Sequence, residues 1–139
     1  MAKNVRVTPE LYRILDANLN RAKEGLRVCE DICRYVWDDK LLTRGFKDIR
    51  HALTESMGTA LLKGMACRDV AADVGRPTTA SESKRGNLKA VFWANSQRIK
   101  ESLRVLEEIL KLINPKTAQA IKALRYQCYV LEQKALKIS

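Results

Sequence analysis

The hydrophobic residues of this chain recur three and four residues apart, the spacing that places them on one face of a helix. The first such stretch follows Thr8 and Pro9, which are typical of a helix N-cap and first helical residue. Another follows Asp38 or Asp39, either of which is a suitable N-cap. The pattern predicts four long helices, over about residues 9–36, 40–63, 88–113 and 115–137.

The first and third predicted helices carry related sequences. Residues 17–36, ANLNRAKEGLRVCEDICRYV, align with residues 94–113, ANSQRIKESLRVLEEILKLI, and half of the aligned positions are identical. Residues 47–50 align in a similar way with residues 122–125. We therefore expect two copies of one helical hairpin, about 9–63 and 88–137, joined by segment 64–87. This predicts an all-α fold, an antiparallel four-helix bundle made of two duplicated hairpins, in one domain over residues 1–139.

Composition supports this interpretation. Hydrophobic residues make up 46% of the chain, and glycine and proline are few, as in helical proteins. No apolar run reaches the roughly 20 residues that cross a bilayer. The N-terminus also lacks an apolar signal region, so we expect a cytoplasmic protein without a membrane partner.

The cysteines are interpreted as small core hydrophobes rather than as catalytic or metal-binding groups. Three of them align with leucines of the other copy: Cys29 with Leu106, Cys33 with Leu110, and Cys128 with Leu53.

Two polar residue types recur on the expected inward face of both copies. These residues are Asn18 and Arg21 in the first helix, and Asn95 and Arg98 in the third. A buried arginine is costly unless an anion meets its charge. One candidate is the glutamate three residues later, Glu24 or Glu101. The other is a ligand phosphate, which a planar guanidinium grips well, and the two interpretations are compatible.

A second set of charged residues is expected on the opposite, solvent-facing side of these helices. The set comprises Lys23, Arg27 and Glu30, with their copies Lys100, Arg104 and Glu107. A solvated face is the usual meaning of such a pattern. Its repetition also fits an interface, so a homodimer stays open.

The connecting segment 64–87 has no counterpart in the repeat. Its first part, MACRDVAADV, is expected to form a short helix that ends at Gly75, followed by the polar loop RPTTASESKRGN. On such a helix Asp69 and Asp73 share one side. They could hold a Mg²⁺ that keeps most of its waters and binds phosphate, or they could belong to an ordinary acidic helix turn.

The net charge of +10 indicates affinity for anions: nucleic acid, acidic membranes or phosphorylated metabolites. A well-solvated surface would look the same. Charge alone does not choose among these.

Taken together, four stretches resemble one known family over nearly the whole chain. They are RILDANLNRAKEGLRVCEDICRYV, CRDVAADVG, RGNLKAVFWANSQRIKESLRVLEEILKL and IKALRYQCYVLE. They resemble the small helical hydroxymethylpyrimidine phosphate kinase domain, which is found alone or fused ahead of thiamine-phosphate synthase. The resemblance implies ATP-dependent phosphorylation of 4-amino-5-hydroxymethyl-2-methylpyrimidine phosphate to its diphosphate, a thiamine precursor.

The sequence lacks the usual nucleotide-kinase motifs, including the GxxxxGK[ST] loop and the HRD and DFG motifs. Phosphoryl transfer nevertheless needs mainly positioning, metal and positive charge. We therefore expect catalytic roles for Arg21, Arg98 and Arg68, and Mg²⁺ binding by Asp69 and Asp73, with ATP as co-substrate. Substrate binding is assigned to Asn18, Asn95, Glu24, Glu101, Arg50 and Arg125.

Two other functions remain open. The first is a basic nucleic-acid-binding module, against which the inward arginines and the absence of zinc-finger or RNP motifs argue. The second is a non-catalytic partner of thiamine-phosphate synthase.

Overall fold

A computed structural model describes residues 7–75 and 86–138 of the chain. Over this range the protein has five helices and no strand. The helices are α1 (Pro9–Tyr35), α2 (Lys40–Met57), α3 (Thr59–Ala66), α4 (Leu88–Ile113) and α5 (Pro115–Ala135). The predicted all-α fold class is confirmed. Most of the predicted polar loop, residues 76–85, lies outside the described residues.

Asparagine and aspartate side chains cap three of the long helices. Asp39, rather than Asp38, caps α2, and its Oδ1 accepts a hydrogen bond from the backbone N–H of Leu42 at 2.9 Å. Asn87 and Asn114 cap α4 and α5 in the same way. These bonds satisfy amide groups that have no partner within the helix and so fix where each helix begins.

The predicted second helix is in fact two helices. Its continuation to residue 63 was wrong, because Gly58 adopts φ +48° and separates α2 from α3. Glycine reaches this left-handed conformation without the steric cost that a Cβ brings, and the conformation ends the helix. The short helix expected over MACRDVAADV was also wrong, because α3 already ends at Ala66 and residues 67–75 form turns.

Each of the four long helices packs against two others. Helix α1 contacts α2 and α4, α5 contacts the same two helices, and α3 lies mainly against α1. The centre of the core contains the rings of Phe46 and Phe92, whose centroids are 5.8 Å apart in an edge-on arrangement. The superposition of residues 9–63 and 88–137 as two hairpins of one bundle stays a prediction.

Helices α1 and α4 approach each other closely at Gly25. A Cβ atom at this position would lie 2.8 Å from Cγ1 of Ile99 and 3.1 Å from the carbonyl oxygen of Asn95. Only glycine therefore fits here without displacement of α4. The close contact brings the two related helices together along one seam.

The buried cysteines behave as the sequence predicted. Cys29, Cys33 and Cys128 are each at most 1% exposed and belong to the core. Burial, which disfavours the thiolate, raises the pKa of Cys33 and of Cys128 to about 12 and also raises that of Cys29. These thiols are therefore chemically inert at neutral pH.

Over residues 7–75 and 86–138, no helix combines the length and the apolar character needed to cross a bilayer.

Candidate functional site

An open cleft of about 950 Å³ lies beside the N-terminal half of α1, and we call it the α1 cleft. One side is formed by α1 itself, and another by residues 68–73, which follow α3. Six predicted site residues line it: Asn18, Arg21, Glu24, Arg68, Asp69 and Asp73. The structure thus brings together residues that are up to 55 positions apart in the sequence.

Arg68 is held in the cleft by Asp16, which the sequence analysis missed. Arg68 Nε donates to Asp16 Oδ2 and Arg68 Nη2 donates to Asp16 Oδ1, both at 2.8 Å. Asn20 Nδ2 also donates to Asp16 Oδ1, at 3.3 Å. The Asp16 residue is only 5% exposed, and its hydrogen bonds and charge raise the pKa of Arg68. Such a bidentate ion pair fixes the plane of the guanidinium group.

The two repeated arginines are exposed, contrary to the prediction that they face inward. At about 100° per residue, Arg21 lies roughly 120° around α1 from the buried Leu15, beyond the arc that packs on the other helices. The side chain of Arg98 is 48% exposed. Both arginines consequently lie at the surface, where a ligand can reach them.

Among the described residues, neither arginine pairs with the glutamate three residues later, which was one of its two candidate partners. Arg98 Nη2 instead approaches Glu24 Oε2 of the other copy at 3.5 Å, and Glu101 accepts a hydrogen bond from Gln97. Within residues 7–75 and 86–138, Arg21 forms no ion pair and donates only to Asn18 Oδ1, at 3.4 Å. Its positive charge therefore remains available within the α1 cleft.

The two repeated asparagines make the same hydrogen bond in each copy. Asn18 Nδ2 donates to the carbonyl oxygen of Ile14, and Asn95 Nδ2 donates to that of Val91, both at 2.9 Å. Asn18 is buried as predicted and lines the cleft, whereas Asn95 is half-buried and does not. Each amide is thereby fixed on its own helix, and the oxygen of Asn18 is the one that accepts from Arg21.

Asp69 and Asp73 line the cleft, but on turns rather than on a helix. Asp69 Oδ1 accepts from the backbone N–H of Ala72 at 3.2 Å, and Asp73 Oδ1 accepts from that of Gly75 at 3.0 Å. Both residues are exposed. In the described part of the chain, no three His, Cys, Asp or Glu residues gather as a metal cluster. These two carboxylates could serve only a largely hydrated ion.

Arg50 and Arg125 lie outside the cleft, each in an ion pair with a buried glutamate. Arg50 Nε donates to Glu30 Oε1 at 3.1 Å. Arg125 Nε and Nη2 both donate to Glu107 Oε1, at 3.2 and 3.1 Å. In each copy the pair joins the first helix of the predicted hairpin to a later helix, which suits a structural role.

The expected solvent exposure of Glu30 and Glu107 was therefore wrong, since these residues are 2% and 3% exposed. The sequence did contain a signal for these two ion pairs. Glu30 and Glu107 occupy aligned positions of the two copies, and so do Arg50 and Arg125. Lys100 is likewise largely covered, because its Nζ pairs with Glu132 at 2.9 Å.

Comparison with known proteins finds similarity over most of the described chain. Residues 13–134 match the ThiD2 family. Thiamine-phosphate synthase of Nostoc punctiforme is 43% identical over 128 residues, which are 91% of this chain and 36% of that protein. The enzyme of Synechocystis sp. is 44% identical over 123 residues, 88% of this chain and 35% of that protein. That of Rhodopirellula baltica is 42% identical over 121 residues, 86% of this chain and 32% of that protein.

The chain spans about a third of the length of these curated relatives. No solved structure matches it. The family match begins within α1 and ends within α5, so it includes α2, α3 and α4 entirely and most of α1 and α5. The chain therefore belongs to the ThiD2 family.

Proposed function

We propose that the protein acts in thiamine biosynthesis, as a kinase that converts hydroxymethylpyrimidine phosphate to its diphosphate with ATP as the phosphate donor. Membership of the ThiD2 family supports the pathway. The similar relatives are thiamine-phosphate synthases, so the matching third of their length is carried by polypeptides that make thiamine phosphate. The kinase reaction, its substrates and the cytoplasmic location are part of this proposal.

The observation that carries the proposal is the joint presence of Arg21, Arg68, Asp69 and Asp73 in one cleft. Planar guanidinium groups bind phosphate oxygens through paired hydrogen bonds. In phosphoryl transfer, positive groups must also stabilise charge that spreads over the moving phosphoryl group. Arg21 has no anionic partner among the described residues, and Arg68 is held rigidly. Of the arginines predicted from the sequence, Arg21 is therefore an available cation of the cleft and Arg68 an oriented one, and the exposed Arg13 lines the cleft as well.

The proposed reaction joins two phosphates. An oxygen of the pyrimidine monophosphate forms a bond to the γ-phosphorus of ATP, and the bond from that phosphorus to the β,γ-bridging oxygen breaks. The products are the pyrimidine diphosphate and ADP. Because the attacking oxygen belongs to an ionised phosphate, no side chain has to remove a proton. Two anionic substrates must instead be brought together, which accounts for the arginines at the cleft.

Asp69 and Asp73 suit a Mg²⁺ ion by the chemistry of their donor atoms. Each uses Oδ1 for a backbone N–H within its turn and keeps Oδ2 outside those bonds. Mg²⁺ prefers hard oxygen ligands, retains several waters, and is commonly held by one or two carboxylates together with substrate phosphates. The ion would neutralise phosphate charge when bound.

The remaining predicted residues receive different roles in this proposal. Arg98, linked to Glu24 at the cleft, is proposed to contact a phosphate once an anionic ligand competes for it. Asn18 orients Arg21 through its amide oxygen. Asn95 and Glu101 would serve a substrate on the α4 side. Arg50 and Arg125 are instead proposed to stabilise the fold, since their charges are already met by glutamates.

A second function is supported by the lengths of the relatives. Because proteins about three times as long carry this domain under the name thiamine-phosphate synthase, a non-catalytic partner of that enzyme would have the same sequence similarity. A pull-down of thiamine-phosphate synthase by a chain that forms no product would favour this role.

The test is a reaction of the purified protein with ATP, Mg²⁺ and the pyrimidine monophosphate. Chromatography measures the formation of the pyrimidine diphosphate and ADP. We expect Arg21→Leu to lower kcat/KM by roughly 10²-fold or more, and Arg21→Lys to restore little, because lysine lacks the planar fork. The matched control is Arg27→Leu, an exposed arginine of the same helix that lies outside the cleft. Equal losses in both leucine variants would contradict the assignment of Arg21. Absence of product with folded wild-type protein would contradict the kinase.

A further inference from the structure

The two related halves of the chain have similar sequences, yet a kinase must distinguish a donor from an acceptor. The segment that joins the two halves has no copy and therefore makes them different. Its described part comprises α3 and residues 67–75, which we call the α3 extension. One residue before the aligned stretches, Asp16 stands where the other copy has Trp93. The residue that holds the extension is thus itself peculiar to one copy.

Asp16 anchors the α3 extension to α1 through a bidentate ion pair. Both carboxylate oxygens of Asp16 accept from Arg68, at 2.8 Å each, and Asn20 supplies one further donor. The Asp16 side chain is 5% exposed, whereas that of Arg68 is 38% exposed. A nearly buried carboxylate of α1 therefore holds an arginine whose other edge reaches the cleft.

The backbone of α3 packs closely against α1 next to this ion pair. A Cβ atom on Gly64 would lie 2.8 Å from Cβ of Asp16 and 3.2 Å from the carbonyl oxygen of Tyr12. The last turn of α3 can therefore lie directly on α1 only because residue 64 has no side chain. Arg68 follows four residues after Gly64, which is close enough for its guanidinium group to bind the carboxylate of Asp16.

We infer that Asp16 is a positioning residue that docks the α3 extension on α1 and orients Arg68 toward a phosphate in the α1 cleft. This inference rests on the proposed kinase function for its chemical meaning. Asp16 binds Nε and Nη2 of Arg68, and the hydrogen bonds of the described residues leave Nη1 unused. In this inference Nη1 is the group left to bind a ligand anion.

The pairing also removes an electrostatic obstacle. A buried carboxylate beside the cleft would repel phosphate, but the fork of Arg68 neutralises it. Asp16→Asn keeps the size of the side chain and removes its charge. Arg68 would then still attract the substrate but would no longer be held in one orientation.

Kinetics of Asp16→Asn provide the first test. We expect kcat for the pyrimidine monophosphate to fall by about 10²-fold, with a smaller change in KM, because a misplaced cation still binds but stabilises the transition state poorly. Since Asp16 acts through Arg68, Asp16→Asn should cost no further activity in an Arg68→Gln background. Additive losses in this cycle would overturn the inference.

The matched control is Glu30→Gln, which also replaces a buried, arginine-paired carboxylate by an amide. It lies 14 residues farther along α1, about 21 Å away along the axis. This variant should lose stability but keep kcat and KM. A kcat loss like that of Asp16→Asn would show that the effect is general destabilisation and would overturn the positioning role.

Hydrogen exchange of the full chain tests docking independently of activity. Amides of residues 67–75 should exchange at least tenfold faster in Asp16→Asn than in wild-type protein, whereas Glu30→Gln should leave them unchanged. Unchanged exchange in Asp16→Asn would overturn the anchor. Faster exchange in a protein without kinase activity would instead refute the proposed function and retain the anchor.

Discussion

The buried pair between Glu107 and Arg125 gives the sharpest test of how the structure is held together. The change is Glu107→Gln, which keeps the length of the side chain and one acceptor oxygen but removes the negative charge. Glu107 Oε1 accepts from Nε and Nη2 of Arg125, and the two side chains are 5% and 10% exposed. The arginine would therefore lose its counter-ion in a place that water hardly reaches.

Removal of one partner from a buried ion pair commonly costs about 3–5 kcal/mol. Because glutamine still offers an oxygen, we expect the lower end, about 3 kcal/mol. For a domain of this size each kcal/mol lowers Tm by about 4 °C, so Tm should fall by roughly 12 °C. Glu30→Gln should cost less, because Glu30 accepts one hydrogen bond from Arg50, whose side chain is 19% exposed.

Urea and thermal unfolding followed by circular dichroism measure this cost. The matched control is Glu108→Gln, at the neighbouring position, where the glutamate pairs with Arg104 and Lys111 at 3.2 and 2.9 Å but is 47% exposed. Exposed pairs contribute little, so this control should unfold like the wild type. Equal unfolding midpoints for Glu107→Gln and Glu108→Gln would refute the burial argument.

Three further predictions concern the thiols and the metal. At pH 8, the half-buried Cys67 should be the thiol that reacts readily with a disulfide reagent in the folded protein, and Cys67→Ser should abolish the fast reaction. The pKa of Cys33 and Cys128 is raised from 9.0 to about 12, so the unfolded chain releases these protons first. The thiol contribution to stability should therefore be complete below pH 9 and decline between pH 9 and 12, and Cys33→Ala should reduce that decline. Asp69→Asn and Asp73→Asn should raise the Mg²⁺ concentration needed for half-maximal turnover without lowering Tm, since both side chains are exposed. Unchanged metal dependence in both would contradict their role.

Hydrophobic spacing and the internal repeat were sufficient to predict the helical class and the burial of three cysteines. The helical class follows from short-range periodicity and the burial of the cysteines from their alignment with leucines, and the sequence displays both directly. The break at Gly58 was missed because a glycine within a helical pattern signals only a weakened helix, and its φ depends on the packing of α3 against α1. Local pattern does not contain that tertiary contact.

The candidate site was predictable in its residue types but not in its partners. Arg21 lies near the edge of the apolar arc, where a small rotation of the helix decides between inside and outside. Glu30 was assigned to solvent because α1 was considered alone, although a second helix covers that side and supplies Arg50. Asp16 escaped notice because it has no copy in the repeat, and its partner is 52 residues away.

We propose that the α1 cleft binds a phosphate group of the substrate and phosphorylates it. The most direct measurement compares the pyrimidine monophosphate with the unphosphorylated alcohol, each with ATP and Mg²⁺ at matched enzyme concentration. We predict diphosphate formation from the monophosphate and at least roughly 10²-fold lower turnover of the alcohol, because the arginines would lose their anionic partner. Comparable turnover of the two compounds would contradict the account.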